Sequence, residues 1–150
     1  DWTYDPFSQQ QLSIYIDDRT RLVTSYGLFK RATSENSIAL LKASIAEFGK
    51  PKAVMTDHGS QYYSNKGSIL QTHTRFRVVL DALGIKHYVA RVNRPQTNGK
   101  VERWFLTYKT EFATGTFTSL KEYVEHYNGI RLHMSLNYKT PMEVWDELVS

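Results

Sequence analysis

A chain of 150 residues and 17.4 kDa, 41% hydrophobic and 13% aromatic, has the material for one real core, which excludes a disordered chain. The absence of cysteine excludes a disulfide scaffold, a cysteine nucleophile and any thiolate-held zinc or iron–sulfur centre. No apolar run approaches the roughly 20 residues of a membrane helix, and DWTYDPFSQQ at the start lacks the basic and apolar regions of a signal peptide. The net charge is only +4, but it is unevenly spread: residues 50–110 carry eleven Lys or Arg against three acids, while the remainder is net acidic. A basic middle suits a polyanionic partner touching one face, although scattered solvated lysines would produce the same count.

In chain order, Asp1 to Tyr4 reads as a short strand ended by the Asp5-Pro6 turn signal. Leu12, Ile14 and Ile16 alternate on one side of a second strand, and RLVTSYGLF continues after the turn-like Asp17-Asp18-Arg19-Thr20, together a hairpin pattern. From Ser34, a plausible N-cap, the period lengthens: Ile38, Leu41, Ile45 and Phe48 predict an amphipathic helix stopped by Gly49. KAVMT (Lys52 to Thr56) reads as a buried strand ending at Asp57-His58-Gly59, where open α/β sheets tend to build sites. Residues 60–74 are polar and carry no clear period. Phe76 to Leu83 predicts a helix stopped by Gly84, Ile85 to Ala90 a strand, Arg91 to Gly99 a loop, and Lys100 to Phe112 a helix. A further helix is expected over Ser119 to Asn128, and Thr140, Pro141 and Glu143 form a capping signature for a last one. The expected fold class is α/β, with a mixed sheet and terminal helices.

The chemistry must come from carboxylates, histidines and hydroxyls. The five histidines contain no HExxH pair, and neither a G-x-S-x-G elbow nor a phosphate-binding glycine loop is present. Asp57 and Glu102 are two of only three acids in the basic segment, each beside a structural break and a glycine (Gly59, Gly99) that permits close approach. Asp1 would join Asp57 if their strands are neighbours. Three converging carboxylates repel one another unless a cation sits between them, and Mg²⁺ suits such oxygen donors. The alternative is structural: Asp57 capping a turn, and Glu102 favouring the dipole of its helix. Asp17 and Asp18 read as turn residues partnered by Arg19 or Arg21, and Asp5 is tied to its turn by Pro6. Trp104, Phe105, Tyr127 and Trp145 read as packing residues rather than base-stacking platforms.

Asp1-Trp2-Thr3, IDDRTR (Ile16 to Arg21), TDHGSQY (Thr56 to Tyr62), PQTNGKVER (Pro95 to Arg103) and HYNGIRLHMSLNYKTPMEV (His126 to Val144) resemble, in order and over nearly the whole chain, the catalytic core of insertion-sequence transposases, relatives of the retroviral integrases in the DDE recombinase superfamily. The resemblance implies a ribonuclease H-like α/β fold, a five-stranded mixed sheet flanked by helices, over a single domain 1–150 whose residues 118–150 form a C-terminal helical part. It implies Asp1, Asp57 and Glu102 as the catalytic and metal-binding triad, with Mg²⁺ or Mn²⁺, two ions when DNA is bound. Asn98, Gly99, Lys100, Arg103 and Lys109 would contact DNA. The implied activity is metal-dependent DNA strand cleavage and strand transfer, with transposon ends and target DNA as partners and a homo-oligomer as the active form. No membrane is involved, and a prokaryotic, nucleoid-associated cytoplasmic location is expected. Alternatives are a non-catalytic DNA-binding or oligomerisation module and a nuclease without strand transfer. Three departures from the family pattern stand out. Asp57 and Glu102 are separated by 44 residues, so Ser64 to Phe76 looks like an insertion; His58 replaces a common asparagine; and Leu132 stands where Arg-Pro-His is frequent.

Overall fold

The computed structural model describes residues 1–59, 61–62, 74–90 and 98–150. Most of the polar stretch Ser64 to Phe76 and of the PQTNG loop, with Lys66, Arg91 and Arg94, lies outside the described residues. The elements in chain order are β1 (Trp2–Asp5), β2 (Gln10–Ile16), β3 (Val23–Phe29), α1 (Ser34–Phe48), β4 (Ala53–Thr56), α2 (Arg75–Leu83), β5 (Lys86–Val89), α3 (Gly99–Phe112), α4 (Leu120–Gly129), a 3₁₀ turn (Met134–Leu136) and α5 (Pro141–Val149). The chain divides into two compact units, one of Asp1–Tyr15 and Ser25–Gly99, the other of Ile16–Thr24 and Lys100–Ser150.

The expected α/β class holds. Among the described residues the strands form a three-stranded sheet in the order β1-β2-β3 and a two-stranded sheet β4-β5, not one continuous sheet of five. Both strand orientations that a mixed sheet needs are present. β1 and β2 pair antiparallel with Trp2 opposite Ser13, and β4 and β5 pair parallel with Val54 opposite His87.

In the first unit, the three- and four-residue spacing of Ile38 and Leu41 turns one face of α1 towards a core completed by Val54, Tyr62, Phe76, Leu80 and Ile85. Ser25 Oγ donates to the Leu40 carbonyl (2.8 Å) and accepts from Ser44 Oγ (2.7 Å), so this core is bounded by satisfied hydroxyls. Thr33, not Ser34, caps α1: its side chain accepts from Asn36 N, while the Ser34 hydroxyl donates to the Gln61 carbonyl at 2.6 Å. Gly84 ends α2 in the left-handed conformation (φ 70°), which a side chain would resist.

The second unit is built on aromatic packing. Trp104 and Tyr108, one turn apart on α3, stack at 5.4 Å, and Tyr123 and Tyr127 of α4 meet Trp104 edge-on at 6.0 Å. Trp104, Phe105 and Tyr127 are buried and Trp145 half-buried, as their packing reading requires. Arg131 pairs with Glu111 at 2.6 Å, and Glu111 also accepts from the Tyr123 hydroxyl at 3.0 Å, so the motif after α4 is tied back to α3. The α5 signature is realised in full, as a capping box between Thr140 and Glu143 with Pro141 in the first turn.

Candidate active site

Asp1 lies immediately before β1. Its backbone nitrogen donates to the Ile14 carbonyl (2.9 Å) and its carbonyl accepts from Ile14 N (3.2 Å), so its position follows from β2. Its carboxylate is half-buried and engaged twice. Oδ1 accepts from Trp2 N at 2.7 Å, and Oδ2 accepts from Asn98 Nδ2 at 2.9 Å. Trp2 is held in turn by its indole N–H, which donates to Ser37 Oγ at 2.9 Å.

Asp57 follows the last residue of β4, where the pleat ends and the chain turns. Its Oδ1 accepts from Gly59 N at 2.8 Å, and Tyr62 N closes the next turn onto the Gly59 carbonyl at 2.9 Å. A side chain at position 59 would crowd the carboxylate. A Cβ at position 59 would stand 2.9 Å from Asp57 Oδ1 and 2.7 Å from the Gln61 amide. Two hydroxyls pin this loop from outside: Ser34 on the Gln61 carbonyl, and Thr74 Oγ1 on the Tyr62 carbonyl at 2.9 Å. At Gly99, by contrast, no described protein atom lies within 4 Å of where a Cβ would be, so that glycine leaves open space.

Asp1 and Asp57 are electrostatic neighbours, since the Asp57 charge acts on both the backbone amino group of Asp1 and the phenol of Tyr62. Burial pushes the Tyr62 phenol well above the ordinary tyrosine range, and the Asp57 carboxylate pushes it the same way. The Ser37 and Ser13 hydroxyls and the Trp2 indole beside the phenol oppose that rise. The Asp1 and Asp57 carboxylates, each with lone pairs left after its protein contacts, are hard oxygen donors of the kind Mg²⁺ or Mn²⁺ takes. The donor set therefore fits a divalent ion. Among the described residues there is no cluster of three or more His, Asp or Glu side chains placed as a metal cage.

The first unit thus holds Asn98 against Asp1, with Asp57 within electrostatic reach of Asp1. Glu102 belongs to the second unit, in the first turn of α3 with its side chain exposed. Arg103 beside it is exposed, and Lys109 lies seven residues on, on the same helical face. Lys100 Nζ is engaged by Asp18, at 2.7 Å from both its carboxylate and its carbonyl oxygen. Asp18 is partnered twice: Lys100 takes its carboxylate, and its carbonyl also accepts from Arg21 Nη1 of its own turn at 2.6 Å. Asp17 accepts from Thr20 N and Oγ1, and Asp5, although buried, accepts from the backbone and hydroxyl of Ser8. The Asp5 and Asp17 carboxylates are spent on turns, as read from sequence, while that of Asp18 goes to Lys100. Sequence reasoning missed Thr56 and His87, whose side chains meet at 2.7 Å behind Asp57, and the contact of Asn98 with Asp1.

A family model described as Integrase core domain matches residues 1–95, and a second of the same description matches residues 83–141. "Putative integrase ORF3" of Spiroplasma virus SpV1-C74 is 31% identical over 150 residues, covering 89% of this chain and 41% of that protein. The transposase for insertion sequence element IS904 of Lactococcus lactis is 26% identical over 156 residues, covering 95% of this chain and 58% of that protein. The chain thus spans about half the length of these relatives. Among solved structures, the catalytic core domain of BIV integrase superposes with a TM-score of 0.75 at 18% identity, over 98% of this chain and 91% of that one. The HTLV-2 integrase catalytic core domain in complex with magnesium, in its trimeric form, does so with a TM-score of 0.69 at 20% identity, over 96% and 91%. At these identities the likeness is one of fold.

Proposed function

The chain belongs to the integrase core domain family, and on that premise we propose that it is the catalytic core of a DDE transposase, cutting a DNA strand at a transposon end and joining the 3′-hydroxyl to target DNA. The observation that carries this reading is the integrase core match over residues 1–95 and 83–141; it is supported by Asp57 lying within electrostatic reach of Asp1, with Asn98 holding the Asp1 carboxylate and Gly59 N the Asp57 carboxylate. Asp1 and Asp57 would hold one Mg²⁺ or Mn²⁺, and Asp1 with Glu102 a second, completing a triad across a single core of residues 1–150 with 118–150 as its C-terminal helical part. Such ions, when bound, activate an attacking oxygen and offset the charge on the departing one. In this reading β1-β2-β3 and β4-β5 are parts of one five-stranded mixed sheet of the ribonuclease H kind.

The chain's own residues supply orientation and charge. Asn98 donates to Asp1 Oδ2, which fixes the carboxylate plane and leaves its remaining lone pairs for a ligand. Asn98, Gly99, Lys100, Arg103 and Lys109 line the DNA path, with Gly99 leaving room for close approach of a phosphate backbone. Lys100 would exchange Asp18 for a phosphate. That exchange is cheap, because an exposed ion pair is worth about 0–1 kcal/mol. The basic segment 50–110 suits DNA as partner. Dimeric and trimeric forms among the solved relatives support a homo-oligomer as the working form. Among the described residues no helix is long and apolar enough to cross a membrane, and the working location proposed is the prokaryotic cytoplasm, at the nucleoid.

The test is a strand-joining assay on labelled transposon-end DNA with Mn²⁺, run for the parent, Asp57→Asn and Glu102→Gln, with calorimetric titration of Mn²⁺ alongside. A joined product that falls at least about 100-fold in both folded variants supports the reading. Retained joining in either variant overturns the triad, and cleavage without any joined product makes the protein a nuclease instead.

A further inference from the structure

His87 sits on β5 opposite Val54, and its ring reaches diagonally along β4 to Thr56, the residue before Asp57. Thr56 is buried, and its hydroxyl has two neighbours: the Asp57 carbonyl at 3.1 Å and His87 Nε2 at 2.7 Å. A hydroxyl has one proton, and a carbonyl can only accept. The Thr56 proton therefore goes to the Asp57 carbonyl, and the imidazole must donate from Nε2 to Thr56 Oγ1. His87 is assigned the neutral Nε2–H tautomer, with Nδ1 a buried acceptor that has no partner among the described residues.

The ring is held for this task by packing. Phe76 lies edge-on to it at 5.4 Å, and Tyr62 lies edge-on to Phe76 at 4.9 Å, so the same aromatic row touches both the relay and the loop after Asp57. The strand beneath is closed by Ala90 N donating to the Thr56 carbonyl at 2.7 Å. The Asp57 peptide is thus fixed at its carbonyl by Thr56, and its side chain is fixed at Oδ1 by Gly59 N.

We infer that His87 is a positioning residue for Asp57, acting through the Thr56 hydroxyl to fix the backbone from which the carboxylate is presented. The inference rests on the reading of Asp57 as a metal-binding carboxylate, and its test separates the two. In the parent chain at pH 7, long-range ¹⁵N–¹H correlation is expected to report His87 as the neutral Nε2–H tautomer. An Nδ1–H tautomer or a charged ring there overturns the inference without any variant.

His87→Leu and Thr56→Val each break the relay from one end, whereas His87→Gln returns an amide donor near the position of Nε2. Both breaking variants are expected to displace the Asp57 and Gly59 amide resonances and to weaken Mn²⁺ binding by about 10-fold or more, as outer-shell partners of metal ligands do. The double variant should be no worse than either single one, and His87→Gln should recover most of the loss. Unchanged resonances and unchanged Mn²⁺ affinity in a folded breaking variant overturn the inference. If no form binds Mn²⁺ but the resonances move in His87→Leu and return in His87→Gln, the positioning role stands and the metal reading falls.

Discussion

Asn98 Nδ2 donates to Asp1 Oδ2 at 2.9 Å, joining residues 97 positions apart in the chain. The amide can serve Asp1 only as donor, since an ionised carboxylate offers only lone pairs. Asn98→Asp places a second negative charge on Asp1 and Asn98→Ala leaves Oδ2 without that partner. Mn²⁺ affinity measured by calorimetry is expected to fall by about 10- to 100-fold in the alanine variant, the range typical of such supporting contacts. An affinity equal to that of the parent would mean that Asn98 does not orient the carboxylate when metal is bound.

Gly59→Ala separates function from stability. The added methyl meets only the ends of two side chains, Asp57 Oδ1 and the Gln61 amide, and both can swing away. Stability is expected to change by less than about 1 kcal/mol in denaturant titration. Strand joining and Mn²⁺ binding should fall sharply, because the group that moves is the Asp57 carboxylate. Loss of fold rather than of metal binding would contradict this assignment.

Asn128 is predicted to matter only for stability. Its side chain imitates a neighbouring strand, accepting from Val23 N at 2.9 Å and donating to the Val23 carbonyl at 3.0 Å, all in buried surroundings. Asn128→Ala strands both backbone groups, at a cost of about 2–4 kcal/mol. Thermal denaturation should show a lower midpoint, and an unchanged midpoint would mean that water replaces the amide without penalty.

Folding stability should depend on pH through two histidines. Burial, followed by the Arg77 charge, holds His87 at about 4, with Asp81 partly opposing; burial and Arg131 lower His133. The unfolded chain takes up protons on these rings near pH 6.5, whereas folded His87 does so only near 4. Stability is therefore full above about pH 6.5 and declines as pH falls towards 4. Denaturant midpoints at several pH values should show a shallower decline in His87→Gln than in the parent, and parallel curves would remove His87 as a source.

Local signals decided much of the fold. The helix of residues 34–48, the left-handed stop at Gly84 and the Thr140–Glu143 capping box were all legible, because each is settled within a few residues by backbone geometry and nearby side chains. The turn roles of Asp5 and Asp17 were legible for the same reason, as their partners lie three residues away. The cap of α1 was misplaced by one residue. Thr33 and Ser34 are equivalent as local donors and acceptors, and only the distant Gln61 carbonyl, which takes the Ser34 hydroxyl, tells them apart.

The sequence by itself determined which chemistry was available. Without cysteine, and with few acids in a basic segment, Asp57 and Glu102 were singled out by residue type and position, and the ordered motifs pointed to a family. What only the tertiary structure decided is which groups meet across long stretches of chain. It set Asn98 against Asp1, left space at Gly59 beside Asp57, and turned His87 from one of five histidines into the donor behind Thr56. Hydrogen bonds form over about 3 Å, and no periodicity in a sequence encodes a distance that strand register and core packing create.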